Sequence, residues 1–533
     1  MLALSKSYQK KKILMSHVKL TVSMFQTAKS FLVFLTLGLI FEGFCNQGLI
    51  KVVITSIEKR FHLKSTDTGT IASTFDIGSL LLMIPICYFG GKAGANRPRL
   101  IALGLMMIAL GALIWTIPHF ATPVYNPEEN TEAAGSLSNF FYVFLLAQFL
   151  IGCGYSPLET LGIAYIDDNV DSTTSSVYIA VAQTGHAVLG PAAGFVLGSQ
   201  MLNLYTDIIE ENIMTPSSSL WVGAWWPGFL ITSIGSLLCS SYLFSFPISL
   251  NPVEEAESKI EPDKDGILKE FYSLLTNFAY MFITLSKALD FFIVTGLSTF
   301  LPKYIEHQYG MSSANSGLVV GLLVITAGAT GGILSGFFIK KFVNTASGVV
   351  TTCVIAQSLA LPLWFIFLLS CPNQSYVGVS TPSSPLLSSF DLTSECNMNM
   401  SCSTSSFDPV CGSDGLMYLS PCLAGCQETD QVHNNFTDCL CISGEASASR
   451  QLCDTNCGYL IPFVLVGFMV IFLTYWINTP STMALMRCVK VHQKSLALGF
   501  SRLIVGLFGG IPGPVLFGYF IDQCCLIWNN GEI

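Results

Sequence analysis

The stretch FLVFLTLGLIFEGFCNQGLI, residues 31–50, contains a single charged side chain, that of Glu42. About twenty apolar residues in a helix cross the hydrocarbon core of a bilayer. Ten further runs of this kind lie near residues 70–90, 99–118, 139–164, 177–204, 221–248, 277–301, 316–339, 348–370, 458–478 and 496–521. The pattern predicts an all-α membrane protein with eleven transmembrane helices.

Composition supports this prediction. Of the 533 residues, 51% are hydrophobic and 11% charged, and the mean hydropathy is +0.58. Soluble domains carry roughly 25% charged residues, and an isolated charge costs a few kcal/mol at the bilayer centre. The net charge of -9 indicates no partner, because the charges are divided between two sides of a membrane. We therefore expect contact with membrane lipid and none with nucleic acid.

The basic residues predict the topology. The first 29 residues carry six lysines and no signal-peptide cleavage pattern, so we expect them to stay in the cytoplasm. With that orientation, seventeen Lys and Arg lie on the cytoplasmic side, as the positive-inside rule requires. Six lie outside: Lys51, Lys59, Arg60, Lys64, Lys303 and Arg450. The expected segments are a cytoplasmic N-terminus (1–29), a six-helix half (30–248), a cytoplasmic linker (249–276), helices seven to nine (277–370), an extracellular loop (371–457), helices ten and eleven (458–521) and a short extracellular tail (522–533).

The loop at 371–457 has the features of an extracellular segment. It contains three N-glycosylation sequons, at Asn373, Asn399 and Asn435. Ten of the 18 cysteines also lie there, which favours five disulfides formed in an oxidising compartment. A zinc site is the weaker alternative, because the loop has no paired C-x2-C knuckles and one histidine, His433. We expect no metal, and a plasma-membrane location.

Charged residues inside the predicted helices are the candidate functional residues. Arg502 lies in helix eleven, and no acid precedes it within two turns. An intramembrane arginine needs a partner or water, so Arg502 either binds an anion in an aqueous cavity or pairs with an acid on another helix. Lys287 is three residues from Asp290, and the two either neutralise each other or join that site.

The remaining ionisable groups leave several roles open. Glu42, Asp76 and Glu159 either balance the cations or bind a coupling proton. His186 either titrates near physiological pH or is a structural histidine. The sequence has no P-loop, so gradients rather than ATP would drive transport. It also has no recognisable catalytic constellation and no channel filter, and we expect no enzyme activity and no cofactor.

The segment WVGAWWPGFL, residues 221–230, opens the sixth predicted helix. Its tryptophans suit a membrane interface, and its glycines allow a neighbouring helix to approach closely. The segment resembles the signature of the organic anion transporting polypeptides of the major facilitator superfamily. Residues 53–61, 165–169 and 510–514 resemble further blocks of that family, and the likeness covers residues 30–529. The signature or structural residues are Trp221, Gly223, Trp225, Trp226, Gly228, Gly510, Pro512 and Gly513.

The resemblance implies a major-facilitator-type bundle of two helical halves. It implies sodium-independent uptake of bulky amphipathic anions such as steroid conjugates, bile salts, thyroid hormones and prostaglandins, by alternating access. Arg502 matches a basic position of that family's pore, with Lys287 and His186 as further candidates. The family has twelve helices, and we expect six plus five here with the twelfth absent. The alternatives are a truncated, transport-impaired isoform and a membrane-anchored interaction protein.

Within the loop, PVCGSDGLMY at residues 409–418, followed by Cys422 and Cys426, resembles a Kazal-type module spanning about 390–441. That resemblance implies the disulfides Cys396–Cys426, Cys402–Cys422 and Cys411–Cys439. Cys371, Cys441, Cys453 and Cys457 would then pair among themselves.

Overall fold

The structure is a computed structural model. It describes residues 27–90, 95–125, 137–170, 178–179, 181–208, 221–248, 250, 267–342, 345–368, 371, 374–382, 391–394, 396–400, 402–403, 408–430, 435–451, 453, 458–489 and 494–524. The predicted N-terminal segment before residue 27, most of the linker and the tail after residue 524 lie outside these residues.

The described chain contains eleven long helical rods, one at each predicted apolar run. The first six are α1 (Ala28–Glu42, Gly43–Leu49 and Ile50–Phe61), α2 (Ser65–Gly90), α3 (Arg97–Ala121), α4 (Phe140–Asn169), α5 (Gly185–Leu189 and Gly190–Leu202) and α6 (Pro227–Leu243). A short helix, Ile267–Leu275, precedes the second group. That group is α7 (Phe278–Tyr309), α8 (Ser313–Leu323, Val324–Gly328 and Ala329–Phe342), α9 (Ala346–Leu363 and Trp364–Leu368), α10 (Leu460–Arg487) and α11 (Lys494–Val505, Gly506–Gly510 and Pro512–Cys524).

Eight of these rods are long and apolar enough to cross a membrane. The other three are α2, α5 and α6, of which α6 has only 17 residues. Small residues bring the helices of the first half together. Gly104 of α3 and Gly154 of α4 face each other, and a Cβ at Gly104 would lie 2.5 Å from the carbonyl oxygen of Gly154. Such contacts are the usual packing device where lipid removes the hydrophobic drive between helices.

Four helices in the described part of the chain contain a π-helical turn near mid-length. The turns are Gly43–Leu49 in α1, Gly185–Leu189 in α5, Val324–Gly328 in α8 and Gly506–Gly510 in α11. Each contains glycine, and two belong to each half of the bundle. Such turns shift the register of side chains and are frequent at functional sites. They mark the centre of the bundle as the place to look for one.

The two halves pack together at the end of the bundle that carries the disulfide-rich loop, which we call the loop end. At that end the Gln308 amide of α7 donates to the carbonyl oxygen of Cys371. A Cβ at Gly317 of α8 would lie 2.5 Å from the Ser199 hydroxyl of α5, and Gly69 of α2 touches the α11 backbone. The main contacts between the halves therefore lie in the half of each helix nearest the loop.

The loop forms a small five-stranded sheet. Its strands are β1 (Val410–Gly412), β2 (Met417–Tyr418), β3 (Glu428–Asp430), β4 (Asn435–Thr437) and β5 (Ala448–Ser449), in the spatial order β2-β1-β5-β4-β3. All nine loop cysteines in the described residues are disulfide-bonded, and Cys457 lies outside them. Of the sequons, Asn435 is exposed, while Asn373 and the Asn399 side chain lie outside the described part. Glycosylation stays a prediction, as does the Kazal likeness.

Two of the three predicted disulfides are wrong. The structure contains Cys402–Cys422, but it joins Cys396 to Cys441, Cys411 to Cys453, and Cys426 to Cys439. Strand register explains the difference. Antiparallel pairing of β3 with β4 places Cys426 and Cys439 on either side of one hairpin, and Cys411 pairs with Ser449 of β5, just before Cys453.

This connectivity can be tested by freeing one cysteine. In a Cys524→Ser background, which removes an exposed free thiol, the Cys411→Ser variant is expected to add Cys453 to the thiols that react with a maleimide, because Cys453 loses its partner. Peptide mass spectrometry of the labelled protein identifies the site, and the matched Cys402→Ser variant should expose Cys422. Labelling of Cys439 in the Cys411→Ser variant would instead support the pairing implied by the Kazal resemblance.

Candidate functional site

Arg502 lies near the centre of the bundle, four residues before the π turn of α11. Its side chain is half-buried, and its guanidinium carbon is 5.5 Å from the centre of the Phe291 ring of α7. A cation over an aromatic face is stabilised by the ring quadrupole. Within the described residues, no carboxylate oxygen lies within 4 Å of the guanidinium. Its donors are therefore not consumed by an ion pair in the described structure.

The first half of the bundle presents acidic groups to Arg502. Glu159 of α4 has the strongest electrostatic interaction with it, followed by the Tyr155 hydroxyl, Asp76 and Glu42. Asp76 of α2 packs directly against Gly510 of α11. A Cβ added at Gly510 would lie 2.6 Å from the Asp76 carboxylate, so only glycine leaves room for this contact. The cation therefore belongs to one half and its compensating charges to the other.

Lys287 lies beside this cluster but is tied within its own half. Its ammonium donates to the Thr482 hydroxyl of α10 at 2.8 Å, and it also lies within electrostatic range of Arg502. Asp290 interacts with the Gln357 side chain of α9. Lys287 and Asp290 interact electrostatically, but the described residues contain no ion pair between them within 4 Å, and their mutual neutralisation stays a prediction.

His186 occupies the π turn of α5 and meets α1. Its Nε2 atom lies 2.6 Å from the carboxylate of Glu42. The imidazole also stacks on the Tyr155 ring, with the centroids 5.0 Å apart. The structure thus brings His186 to within electrostatic range of Arg502, and its contact with Glu42 was not predictable from the sequence.

Lys51 is a residue that sequence reasoning misplaced. The sequence places it just after the first helix, but it lies within the α1 rod, where its ammonium donates to the Gln47 side chain at 3.3 Å and to the Ser298 hydroxyl of α7 at 2.9 Å. It also interacts electrostatically with Asp76. Lys51 therefore links the two halves beside the cluster. Its spacing of four from Gln47 was the available signal, because such residues face each other on a helix.

The tryptophan-rich segment lies away from the cluster, at the loop end. The helix α6 begins at Pro227, so residues 221–226, which include the three tryptophans, precede the helix, and residues 227–230 form its first turn. Gly223 forms an antiparallel bridge with Tyr205, and the Trp221 indole donates to the Leu202 carbonyl at 2.9 Å. Trp225 is 1% exposed. The segment closes the end of the first half and has a structural role.

Gly223 should tolerate no side chain. A Cβ there would lie 2.5 Å from the Leu202 carbonyl oxygen, so Gly223→Ala forces two backbone segments apart at a cost of about 1 to 3 kcal/mol. We expect the detergent-solubilised variant to unfold at a lower temperature than the unaltered protein. Fluorescence-detected size-exclusion chromatography after heating measures this temperature. The control is Gly467→Ala in α10, where no heavy atom lies within 4 Å of the added Cβ. Equal unfolding temperatures for the two variants would contradict the close contact.

Solved structures define the class of protein to which this fold belongs. A bacterial homologue of the human lysosomal transporter Spinster has a TM-score of 0.58 and 16% identity, over 92% of this chain and 81% of that one. The xylose transporter XylE from E. coli has a TM-score of 0.53 and 13% identity, over 93% and 94%. The chain shares the helical fold of these two transporters.

Sequence comparisons give the family. The model of the Organic Anion Transporter Polypeptide (OATP) family matches residues 30–532. The chain is 36% identical to mouse solute carrier organic anion transporter family member 4A1, over 96% of this chain and 77% of the relative. It is 35% identical to human member 4C1, over 95% and 76%. This chain belongs to the Organic Anion Transporter Polypeptide family and is a multi-pass membrane transporter.

Proposed function

We propose that the chain takes up bulky amphipathic organic anions across the plasma membrane by alternating access, without sodium. The observation that carries the proposal is Arg502, a cation at the junction of the two halves with no carboxylate within 4 Å in the described residues. An anionic headgroup would bind the guanidinium, and Phe291 and the neighbouring apolar helices would contact the substrate body. Steroid conjugates, bile salts, thyroid hormones and prostaglandins combine these two features.

The contacts between the halves support alternating access. They concentrate at the loop end, so that end is closed, and the solved Spinster homologue that shares the fold was captured inward-facing. We assign the same state to this chain, with the N-terminus and the open side in the cytoplasm. Rocking of the halves around the central cluster would then expose Arg502 to each side in turn.

Uptake of labelled estrone sulfate and thyroid hormone into expressing cells tests this function. We expect saturable uptake that is unchanged when choline replaces sodium and is stimulated by unlabelled substrate on the opposite side. Surface biotinylation measures the amount of protein, and tetraethylammonium, an organic cation, serves as the control substrate. Uptake that does not saturate, or that requires sodium, would contradict the proposal.

A further inference from the structure

A chain of three buried polar side chains crosses the first half of the bundle. The Trp115 indole of α3 donates to Gln148 Oε1 of α4 at 3.2 Å, and Gln148 Nε2 donates to Asn46 Oδ1 of α1 at 2.6 Å. Trp115 and Gln148 are 1% and 0% exposed, whereas Asn46 is 8% exposed. The chain therefore begins in the core of the first half and ends at a residue that keeps some accessible surface.

The chemistry of the indole fixes the direction of each hydrogen bond in this chain. An indole N–H can only donate, so the Gln148 amide turns its oxygen toward Trp115 and its NH2 group toward α1. The Asn46 amide then accepts through its oxygen, and its own NH2 group points away from Gln148. In the described part of the protein, no group accepts a hydrogen bond from Asn46 Nδ2. Asn46 is left with oriented donors that a ligand can use.

Asn46 lies where the first half of the bundle faces the second. It belongs to the π turn of α1, and such turns are frequent at functional sites. The next residue, Gln47, accepts a hydrogen bond from Lys51, whose ammonium also donates to Ser298 of α7 across the junction of the halves. A ligand held between the halves therefore lies beside this turn.

The position of Gln148 relates this chain to the anion site. Gln148 shares one face of α4 with Tyr155 and Glu159, because they follow it by seven and eleven residues, which is close to two and three helical turns. Both of those residues interact electrostatically with Arg502. Along the helix axis, Gln148 lies about 16 Å from Glu159, toward the loop end. Asn46 and Arg502 are therefore at different heights, and a rigid ring system can extend from one to the other.

An oriented amide donor selects for an oxygen on the substrate. A ligand group that cannot accept would displace water from the Asn46 NH2 group and leave its hydrogen bond unmade, which is costly in a buried site. Rotation of the amide would not help, because it would break the bond to Gln148. Since Gln148 already holds the amide in place, little reorganisation is needed when a matching substrate binds.

We propose that Asn46 binds an uncharged oxygen at the end of the substrate opposite its anionic group, and that Trp115 and Gln148 position the Asn46 amide for this contact. The inference rests on the proposed function above and adds its specificity. The favoured substrates are organic anions that carry a ketone or another acceptor oxygen at the end remote from the charge. Asn46 contacts the substrate, whereas Gln148 and Trp115 act through Asn46.

The test compares two sulfates that differ in one oxygen. Estrone sulfate carries a ketone at the end remote from its sulfate, and its deoxy analogue has a methylene group there. In cells that express the unaltered full-length protein, we expect Vmax/KM to be about three to ten times higher for estrone sulfate, which is the range of a single hydrogen bond. The difference should lie mainly in KM, because the contact forms on binding.

Variants assign the preference to the chain. Asn46→Leu removes the donors and should bring the ratio of the two Vmax/KM values to about one. Gln148→Met removes the amide that orients Asn46 but keeps a side chain of similar length, and Trp115→Phe keeps a ring against Phe229 without the indole N–H. Both should lower the ratio at least about twofold. A merely structural role would lower uptake of both sulfates equally and leave the ratio unchanged.

Ser233→Ala is the matched control. Ser233 is another buried polar residue of the first half, and its hydroxyl donates to the Ala109 carbonyl of α3 at 2.8 Å. It does not belong to the chain, so its removal should leave the ratio unchanged even if the protein becomes less stable. Surface biotinylation measures the amount of each variant at the membrane.

Three results would overturn the inference: equal Vmax/KM for the two sulfates in the unaltered protein, retention of the full preference in Asn46→Leu and Gln148→Met, or the same loss of preference in Ser233→Ala. In each of them the proposed uptake function survives. Absence of saturable uptake of either sulfate by the unaltered protein would refute that function instead.

Discussion

Replacement of Arg502 with alanine is expected to lower the efficiency of anion uptake, measured as Vmax/KM, by about a hundredfold or more. The guanidinium and the bound substrate anion would form a charge pair in the complex. Removing one partner of such a buried pair costs about 3 to 5 kcal/mol, and each 1.4 kcal/mol corresponds to a factor of ten in binding. The acids that face Arg502, foremost Glu159, would then repel a substrate anion without compensation. The effect should therefore be larger than the loss of a single contact.

Two further variants make the Arg502 experiment specific. Arg502→Lys keeps the charge and should retain part of the activity, although a lysine lacks the planar fork that binds a carboxylate or sulfate through two donors. Arg487→Ala removes an exposed cation at the end of α10 and should leave uptake unchanged. Uptake should be normalised to surface protein. Normal uptake by Arg502→Ala at equal surface levels would remove Arg502 from the site.

The helices were predictable because the bilayer imposes a local rule. A span needs about twenty apolar residues wherever it lies in the chain, so the length of runs such as 31–50 and 458–478 is enough to predict a membrane helix. Arg502 could be singled out for the same reason, since a charge in such a run is costly and is retained where it has a functional or structural role. Both features can be read without knowing which helices are neighbours.

Features that depend on tertiary neighbours were not predictable. The pairing of Cys411 with Cys453 follows from the position of β5 beside β1, and two-residue strands leave no clear periodicity. Lys51 was misplaced because nothing in the sequence shows that Ser298 of α7 lies beside it. The contact between Glu42 and His186 likewise depends on two π turns that meet in space.

Neutralising the ion pairs at the loop end is expected to open that end of the transporter. Lys303 of α7 pairs with Glu58 of α1, and Lys59 of α1 lies 3.3 Å from Glu306 of α7. Both pairs join the two halves and are largely shielded from solvent. Each pair is expected to stabilise the closed loop end by on the order of 1 kcal/mol or more. Loss of both pairs in the Glu58→Gln/Glu306→Gln variant should therefore shift the ratio of outward-open to inward-open molecules by roughly tenfold to thirtyfold.

A cysteine at Ser199 reports the opening. Ser199 is 0% exposed and faces Gly317 across the junction of the halves, so Ser199→Cys should react with a membrane-impermeant thiol reagent only when the loop end opens. The background carries Cys524→Ser, because Cys524 is exposed. We expect several times faster labelling of Ser199→Cys in the Glu58→Gln/Glu306→Gln variant.

Two controls separate gating from general loosening. Arg450→Gln removes an ion pair with Asp408 inside the loop and should leave labelling slow, because that pair does not join the halves. Exchanging the charges of one pair in Glu58→Lys/Lys303→Glu should restore slow labelling relative to Glu58→Lys alone. Should the neutralised and unaltered proteins label at the same rate, these ion pairs would not hold the loop end closed. The backbone amides of Ser65 and Thr66, which donate to Asp522 of α11 at 2.9 and 2.8 Å, would then be the contacts that do.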